Sequence, residues 1–277
     1  MIKRIVIVLT SLLLLLCSCT PAQRSPELTV VFADVGKADF ILVCCDGKFG
    51  VIDAGYKSSK EKIDEVMTEY GVKTLEFAVA THNDKDHIGG MAHILEKYGA
   101  KTLYVTRLEG EGKQYINMLD AAAIKGIPVV KLKRNETVPF CGAEFTVLSP
   151  DDSLIELKDE NEASLVLRMQ YGKNSVLFMG DAQIKAEEKL ISNYKDELVC
   201  DAIKIGHHGS VQASSRVFLS KTKAKYAIIS TGDEEPASEL TLNAVSACNM
   251  QLYNTDNDGD ILLKTDGVNL TVTKKGG

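Results

Sequence analysis

The chain has 277 residues and a formal net charge of −6 at pH 7, with 45% hydrophobic and 25% charged residues. This composition is typical of a globular protein, and the length favours one α/β domain with a large core. The acidic balance disfavours non-specific binding of nucleic acid, because contacts to phosphates need clustered lysine and arginine side chains.

The N-terminal segment predicts a lipoprotein signal peptide over residues 1–18. Two basic residues precede an apolar run at 5–16, which is too short to span a bilayer comfortably. The run ends in Leu-Cys-Ser-Cys at 16–19, which resembles a bacterial lipobox, and the small serine before Cys19 makes it the better lipid acceptor. We expect a polar tether over 19–27 and a lipid anchor that holds the protein on the extracytoplasmic face of a bacterial cell membrane. The alternatives are an ordinary secretory signal or an uncleaved anchor.

Short apolar runs and stretches of helical spacing alternate along the rest of the chain and predict an α/β protein. The predicted strands lie at 28–34, 40–45, 49–53, 75–80, 101–105, 129–132, 144–148, 164–169, 175–179, 202–205 and 226–230, with three more near the C-terminus. The predicted helices run from Ser58 or Ser59 to Tyr70 and over 91–98, 115–123, 183–191 and 239–247, with a further helix between 210 and 226. The strands 129–132 and 144–148 are expected to flank a turn at 141–142.

The two halves of this pattern each open with β-hairpins, and no linker interrupts residues 28–273. Two such halves can pack their sheets face to face, so that strand ends meet along one edge. Ligand sites of α/β proteins lie in loops at strand ends, and this edge is therefore the predicted crevice.

Five cysteines lie beyond the signal segment, at positions 44, 45, 141, 200 and 248, and their spacing fits no metal site. Adjacent side chains on a strand point to opposite faces, so Cys44 and Cys45 are not expected to bond each other. The default interpretation is that the cysteines are buried apolar side chains. The alternative is one disulfide, formed in an oxidising compartment.

Four potential metal ligands follow the apolar run at 75–80 within six residues: His82, Asp84, Asp86 and His87. Alternate residues of an extended loop share a side, so His82 and Asp84 are predicted to serve one ion while Asp86 and His87 turn toward a second. For this loop alone, the competing interpretation is a polar segment that enters a helix and is followed by two packing glycines.

Later strand ends supply further candidates. Asp181 is the predicted bridging carboxylate, although an aspartate at this position is more often a helix cap. Two adjacent histidines cannot easily bind one ion, so we expect His207 or His208 to be a ligand and the other an orienter, an acid or a packing residue. Such donors suit one or two divalent ions, which we expect to be zinc or manganese, with iron as a further option. A pair of metal ions activates water and binds a phosphoryl or acyl oxygen of the substrate.

The order and spacing of these motifs resemble the metallo-β-lactamase superfamily and, within it, the ComEC-type competence-protein branch. The motifs that carry the resemblance are Thr81-His82-x-Asp84-x-Asp86-His87-x-Gly89-Gly90, Gly180-Asp181, Asp34-Val35-Gly36-x-x-Asp39, Asn161-x-x-Ser164-Leu165-Val166-Leu167, Gly206-His207-His208-Gly209-Ser210 and Thr255-Asp256-x-x-Gly259-x-Ile261. The resemblance implies one hydrolase domain over 28–275, an αββα sandwich of two mixed sheets face to face with helices outside. It also implies catalytic roles for Asp86, His207 and His208 and supporting roles for Asp53, Asn161 and Ser210.

The chain departs from the pattern at four places. The commonest superfamily loop has histidine where Asp84 stands, although the ComEC-type branch shares this aspartate. The mid-chain histidine that completes the first metal site is absent, since that region reads Glu160-Asn161. The branch has Gly-Gln-Gly-Asp where residues 36–39 read Gly-Lys-Ala-Asp, and Gly-His-Pro where 234–236 read Glu-Glu-Pro. The first site is therefore predicted to be short of ligands, while the second is complete.

These observations predict a membrane-anchored, extracytoplasmic, metal-dependent phosphodiesterase or nuclease-like enzyme. DNA is the substrate that the branch suggests, and a small or cell-envelope phosphodiester is the alternative. A catalytically degenerate binding lipoprotein is the alternative from a different class, and a β-lactamase is less favoured because of Asp84 and the incomplete first site. No long apolar segment follows the signal, so this chain is not expected to form a transmembrane channel. The oligomeric state stays open.

Overall fold

The structure is a computed structural model that describes residues 26–232 and 235–275. The predicted signal peptide over 1–18 and the predicted lipidation site, Cys19, lie outside the described residues. Among the residues that are described, no helix is long and apolar enough to cross a membrane.

The first half of the described chain forms six strands and four helices. In chain order these are β1 (Leu28–Phe32), β2 (Ile41–Cys45), β3 (Lys48–Ile52), α1 (Lys60–Glu69), β4 (Phe77–Ala80), α2 (Lys85–Ile88), α3 (Met91–Lys97), β5 (Leu103–Val105), α4 (Lys113–Lys125) and β6 (Val129–Lys131). A short 3₁₀ turn, Lys57–Ser59, leads into α1.

The second half forms nine strands and five helices. They are β7 (Thr137–Phe140), β8 (Ala143–Ser149), α5 (Asp152–Glu156), β9 (Val166–Tyr171), β10 (Asn174–Phe178), α6 (Ile184–Tyr194), β11 (Ala202–Lys204), α7 (Arg216–Thr222), β12 (Tyr226–Ile229), α8 (Glu239–Ala247), β13 (Gln251–Asn254), α9 (Thr255–Asp258), β14 (Ile261–Thr265) and β15 (Leu270–Lys274). Two 3₁₀ turns, Lys195–Leu198 and Gly206–Gly209, flank β11.

The strands build two mixed sheets. The first has eight strands in the order β15-β14-β1-β2-β3-β4-β5-β6, and the second has seven in the order β13-β12-β11-β10-β9-β8-β7. The C-terminal hairpin β14–β15 returns to the first sheet, where β14 pairs antiparallel with β1. The predicted αββα sandwich is thereby confirmed.

Three apolar layers hold the sandwich together. The largest lies between the sheets, where the Phe32 and Phe178 rings stack at 6.1 Å and Phe77 meets Phe140 edge-on at 5.4 Å. The other two layers lie between each sheet and its helices. In α1, for example, the residues that face the sheet are spaced at three and four positions: Ile63, Val66 and Met67. Burial of each such side chain contributes about 1.5–3 kcal/mol.

One predicted strand pairing is wrong. The strand β6 is the last strand of the first sheet and pairs parallel with β5, so it does not flank the turn at 141–142. The partner of β8 across that turn is β7, which was not predicted as a strand. The strand β7 contains Pro139, and proline is tolerated there because β7 is an edge strand and Pro139 faces outward. The short helix α5, capped by Asp151, was also not predicted.

A disulfide joins Cys45 on β2 to Cys141 in the β7–β8 turn and thus links the two sheets. The default interpretation of the cysteines as unpaired apolar residues is wrong for this pair. Among the described cysteines, Cys44, Cys200 and Cys248 are free, and Cys200 is buried.

Candidate metal centre

The predicted ligands follow strands whose carboxyl ends meet at one edge of the sandwich. The strand β4 runs parallel to β3, and the segment after it, a loop that leads into α2, carries His82 to His87. The strands β10, β11 and β12 are parallel to one another, and the loops after β10 and β11 carry Asp181 and the pair His207-His208. Because parallel strands direct their ends to the same edge, residues that are distant in sequence reach one place.

Four side chains form a compact group that we call the inner cluster: Asp86, His87, Asp181 and His208. One potential ligand atom of each lies within 4.8 Å of the others. His87 Nε2 is 3.1 Å from Asp181 Oδ1 and 3.2 Å from His208 Nε2. His208 Nε2 is 3.5 Å from Asp86 Oδ2. Imidazole and carboxylate donors gathered in this way suit a divalent transition metal.

Hydrogen bonds on the far side of two imidazole rings point their Nε2 atoms into the inner cluster. His87 Nδ1 lies 2.7 Å from Asp53 Oδ2, and Thr81 donates to the same carboxylate through its amide at 2.8 Å and its hydroxyl at 2.7 Å. His208 Nδ1 lies 3.1 Å from the carbonyl oxygen of Ser230. With its remaining proton on Nδ1, each neutral ring would present the Nε2 lone pair that a metal requires.

The carboxylates of the inner cluster are held in the ionised form. Burial by itself would raise the pKa of Asp181, yet His87 and His208 hold that pKa well below its usual value. Burial acts in the same direction on Asp86, and the hydrogen bond with His208 leaves the pKa of Asp86 lowered. The same contacts raise the pKa of His87 well above its usual value, against the effect of burial. Metal binding needs ionised carboxylates and neutral imidazoles, so a cation that binds here would displace a proton from this ring.

The adjacent histidines occupy different positions. Both residues have left-handed backbones, with φ of 47° at His207 and 50° at His208, and their side chains are 21% and 1% exposed. The Gln183 amide donates a hydrogen bond to His207 Nδ1 over 3.1 Å, so the proton of His207 is on Nε2, 3.8 Å from Asp181 Oδ2. Burial lowers the pKa of His207. The geometry thus offers His208 as a ligand and His207 as a hydrogen-bond donor at the opening.

The other predicted ligands lie beside the inner cluster. His82 is fully buried, and its Nε2 is 3.6 Å from Asp84 Oδ2 and 3.8 Å from Asp181 Oδ2. Asp84 forms a hydrogen bond with Glu160, and burial together with the Asp84 carboxylate raises the pKa of Glu160 to about 7. The structure therefore brings His82 and Asp84 together, as the spacing predicts, and adds a carboxyl group that was not predicted as a ligand.

Two predicted supporting residues differ in where they lie. Asn161 follows Glu160 directly, and its buried Oδ1 has no hydrogen-bond partner among the residues that the structure describes. The hydroxyl of Ser210 instead accepts a hydrogen bond from the Gln212 amide over 3.3 Å, which shapes its own loop. The contacts of Ser210 thus do not connect it to the inner cluster.

Asp181 does not cap the helix that follows it. The helix α6 begins at Ile184, and its first amides are satisfied by Glu162, which accepts hydrogen bonds from Lys185 at 3.2 Å and Ala186 at 2.8 Å. The carboxylate of Asp181 is therefore left to the cluster.

Several buried polar atoms here have no hydrogen-bond partner among the described residues, including His82 Nε2, Asp181 Oδ1 and Asp39 Oδ1. An unsatisfied buried polar atom costs about 1–3 kcal/mol. A divalent cation would satisfy the histidine nitrogen and the Asp181 oxygen. The residues present therefore fit a metal.

Sequence reasoning missed a buried ion pair behind the inner cluster. Lys204 is 0% and Asp39 1% exposed, and Lys204 Nζ lies 2.9 Å from Asp39 Oδ2. Burial would raise the pKa of Asp39, but Lys204 and His208 lower it, and Asp39 Oδ1 lies 3.8 Å from His208 Nδ1. The available signal was a lysine inside the otherwise apolar strand β11, whereas Asp39 entered the sequence analysis only as part of the motif at 34–39.

Residues 34–233 match the metallo-beta-lactamase superfamily. The chain belongs to this family. Its metallo-β-lactamase domain is 27% identical over 258 residues to ComE operon protein 3 of Bacillus subtilis (strain 168), covering 86% of this chain and 33% of that protein. It is 28% identical over 237 residues to competence protein ComA of Neisseria gonorrhoeae, covering 84% of this chain and 32% of that protein.

The chain therefore spans about a third of the length of these curated relatives. A similar solved structure is Igni18, a metallo hydrolase from the archaeon Ignicoccus hospitalis KIN4/I. It has a TM-score of 0.59 and 14% sequence identity, and the match covers 85% of this chain and 98% of that chain. The resemblance to the competence-protein branch of the metallo-β-lactamase superfamily is confirmed, and the chain has the fold of a metal-dependent hydrolase with a cluster suited to a metal.

Proposed function

We propose that the chain is a metal-dependent phosphodiesterase that acts outside the cytoplasm at the membrane surface. The observation that carries the proposal is the inner cluster, in which two imidazole Nε2 atoms and two ionised carboxylates converge. Divalent metal bound there would supply a nucleophilic water near neutral pH and polarise a phosphoryl oxygen. Asp86, His87, Asp181 and His208 would hold it.

The protein side chains around that position have separate tasks. Asp53 and Thr81 fix the ring of His87, and the Ser230 carbonyl fixes the ring of His208. His207 presents Nε2–H at the opening, so it donates a hydrogen bond to the oxygen that gains charge as the ester bond breaks.

The location is proposed from two features of the chain. Residues 1–19 carry the lipobox-like signal, which would place the domain outside the cytoplasm. The disulfide between Cys45 and Cys141 fits that compartment, because disulfides persist in oxidising environments.

The substrate is proposed to be a small or cell-envelope phosphodiester rather than long DNA. The carboxylate of Asp84 lies beside the inner cluster, 3.6 Å from His82 Nε2, and its side chain is 39% exposed. Negative charge at this position repels a polyanion more strongly than a single phosphodiester. DNA, the substrate class that competence relatives suggest, is the second candidate, and the altered Asp84 and missing third imidazole disfavour a β-lactam.

The test is metal-dependent release of p-nitrophenol from bis-p-nitrophenyl phosphate by the purified chain, run beside DNA and β-lactam substrates. We expect activity that chelator abolishes, that Asp86→Ala loses by at least about 100-fold, and that the exposed control Asp120→Ala retains. A metal-loaded chain that hydrolyses neither this ester nor DNA contradicts the proposal. Failure to bind metal supports a binding lipoprotein instead.

A further inference from the structure

An ion pair joins two loops that border the inner cluster. The Lys37 ammonium contacts the Glu235 carboxylate, although the two residues are 198 positions apart in the chain. Lys37 lies in the loop between β1 and β2, and Glu235 lies in the loop between β12 and α8. The two side chains are 34% and 63% exposed, so the pair is in contact with solvent.

The loop between β1 and β2 is attached to the inner cluster two residues after Lys37. The Asp39 amide donates to the carbonyl oxygen of Asp86 over 3.2 Å, and Asp39 Oδ1 lies 3.8 Å from His208 Nδ1. These contacts fix the backbone of the loop against two members of the inner cluster. Burial is the main cause of the lowered pKa of His207, and the Lys37 ammonium adds to it, as expected of a nearby cation.

The loop between β12 and α8 is attached at both ends to the turn that carries His208. At one end, the carbonyl oxygen of Ser230 lies 3.1 Å from His208 Nδ1. At the other end, the Ser238 amide donates to the carbonyl oxygen of Gly209 over 2.9 Å. Glu235 lies between these two attachments, so its backbone is held close to the same turn.

A close approach at Gly232 brings the two loops together. The Glu235 amide donates to the carbonyl oxygen of Gly232 over 2.9 Å. A β-carbon at position 232 would lie 3.0 Å from the amide nitrogen of Lys37. Because glycine has no such atom, the backbones of the two loops can meet here. The ion pair therefore connects two loops that contact the inner cluster independently.

The main effect of this pair is on charge. Solvent screens exposed ion pairs between long side chains, and most of them contribute little to the free energy of folding. The hydrogen bond with Lys37 lowers the pKa of Glu235, so the carboxylate stays ionised and neutralises the ammonium. The competence-protein pattern has glutamine and histidine at these two positions. Two departures from that pattern thus contact each other in the fold.

We propose that the pair of Lys37 and Glu235 is a specificity-determining element that disfavours long nucleic acids at the inner cluster while small phosphodiesters are admitted. Contacts from lysine side chains to phosphates supply most of the non-specific affinity for nucleic acid. Glu235 occupies the ammonium that would otherwise bind a phosphate next to the scissile ester. A phosphodiester with a single charge needs no such second contact. The inference rests on the proposed function, because it concerns which phosphodiesters reach the inner cluster.

The experiment is binding of a fluorescein-labelled single-stranded oligonucleotide to the metal-free full chain, measured by fluorescence anisotropy over a range of salt concentrations. Glu235→Gln should raise the affinity about two- to fivefold, because it releases the ammonium of Lys37. The slope of log affinity against log salt concentration should steepen by about 0.7, as one new phosphate contact predicts. Glu239→Gln is the matched control, since it removes the same charge from an exposed side chain at the start of α8, and it should change the affinity much less.

A double variant separates the release of Lys37 from the loss of one negative charge. Lys37→Met combined with Glu235→Gln keeps the net charge of the wild type but has no ammonium at position 37, so the gain in oligonucleotide affinity should disappear. A gain that persists in the double variant, an equal gain in Glu239→Gln, or no gain in Glu235→Gln overturns the inference.

Hydrolysis of bis-p-nitrophenyl phosphate by the metal-loaded chain keeps the two proposals apart. If the chain hydrolyses this ester but fails the binding test, the inference is overturned and the proposed function stands. If the binding pattern is as predicted but the chain hydrolyses neither the ester nor DNA, the result supports exclusion of nucleic acid by the ion pair and contradicts only the proposed function.

Discussion

Removal of Lys204 should reveal how strongly the buried ion pair behind the inner cluster is coupled. In Lys204→Met the carboxylate of Asp39 stays 1% exposed but loses the ammonium group that lies 2.9 Å away. Breaking a buried pair from one side costs about 3–5 kcal/mol, because the remaining charge is uncompensated. The methionine side chain fills a similar volume, so a cavity contributes little to that loss.

The double variant distinguishes charge from packing. Asp39→Asn combined with Lys204→Met removes both charges, and it should recover about 2–3 kcal/mol relative to the sum of the single variants. The assay is urea unfolding of the metal-free protein at pH 7, because a bound metal would add its own stabilisation. A loss below about 1 kcal/mol in Lys204→Met, or additive single effects, would refute this reasoning.

Three further outcomes follow from the geometry. His208→Ala should weaken metal binding at least about tenfold, measured by calorimetry, whereas His207→Ala should keep the metal and lower kcat; equal metal affinities in both would contradict the assigned difference. Asp64→Asn should destabilise by about 1 kcal/mol at pH 7 after solvent screening. Burial opposes this charge, but hydrogen bonds from Lys97, His93 and Tyr98 lower the pKa of Asp64 to about 2. Because the pKa of Asp64 is lower in the folded state, its charge stabilises the fold above the unfolded-state pKa of about 4. The difference in unfolding free energy between wild type and variant, measured with urea, should therefore vanish as pH falls through about 2. If the difference in unfolding free energy persists at the lowest pH, the charge of Asp64 is not its cause. Reduction of the Cys45–Cys141 disulfide should cost about 2–4 kcal/mol in the same assay with and without dithiothreitol, and identical unfolding curves would contradict its stabilising role.

Local patterns were sufficient for most of the fold and for the place of the metal centre. The strand β4 is a short apolar run that stops at a polar loop, and β10 and β11 end in the same way, so the sequence marks each strand end that carries a candidate ligand. The helix α8 was predicted over 239–247 and is observed as Glu239–Ala247. In these places local preference and tertiary environment agree.

The missed features depend on contacts between distant parts of the chain. Pro139 disfavours a strand locally, and only the edge position of β7 makes it acceptable. Lys204 is tolerated in an apolar strand only because Asp39 arrives from another loop. Whether His207 or His208 reaches the inner cluster depends on the left-handed backbone of both residues, which sequence spacing does not reveal.

The contact of Glu160 with Asp84 also depends on distant parts of the chain, so local sequence patterns did not predict it. The sequence showed that a histidine was missing at this point, and the first metal position was therefore predicted to be incomplete. Whether a neighbouring carboxyl group reaches that position depends on how α5 and the following segment pack against the first half. In the structure the two carboxyl groups interact, and the pKa of Glu160 is raised.

Anomalous X-ray scattering from crystals soaked in Mn²⁺ tests the central claim most directly. The account predicts a strong peak among Asp86, His87, Asp181 and His208, within bonding distance of His87 Nε2 and His208 Nε2. Saturating Mn²⁺ or Zn²⁺ with no peak in the inner cluster, while the four side chains keep the positions described above, would contradict it.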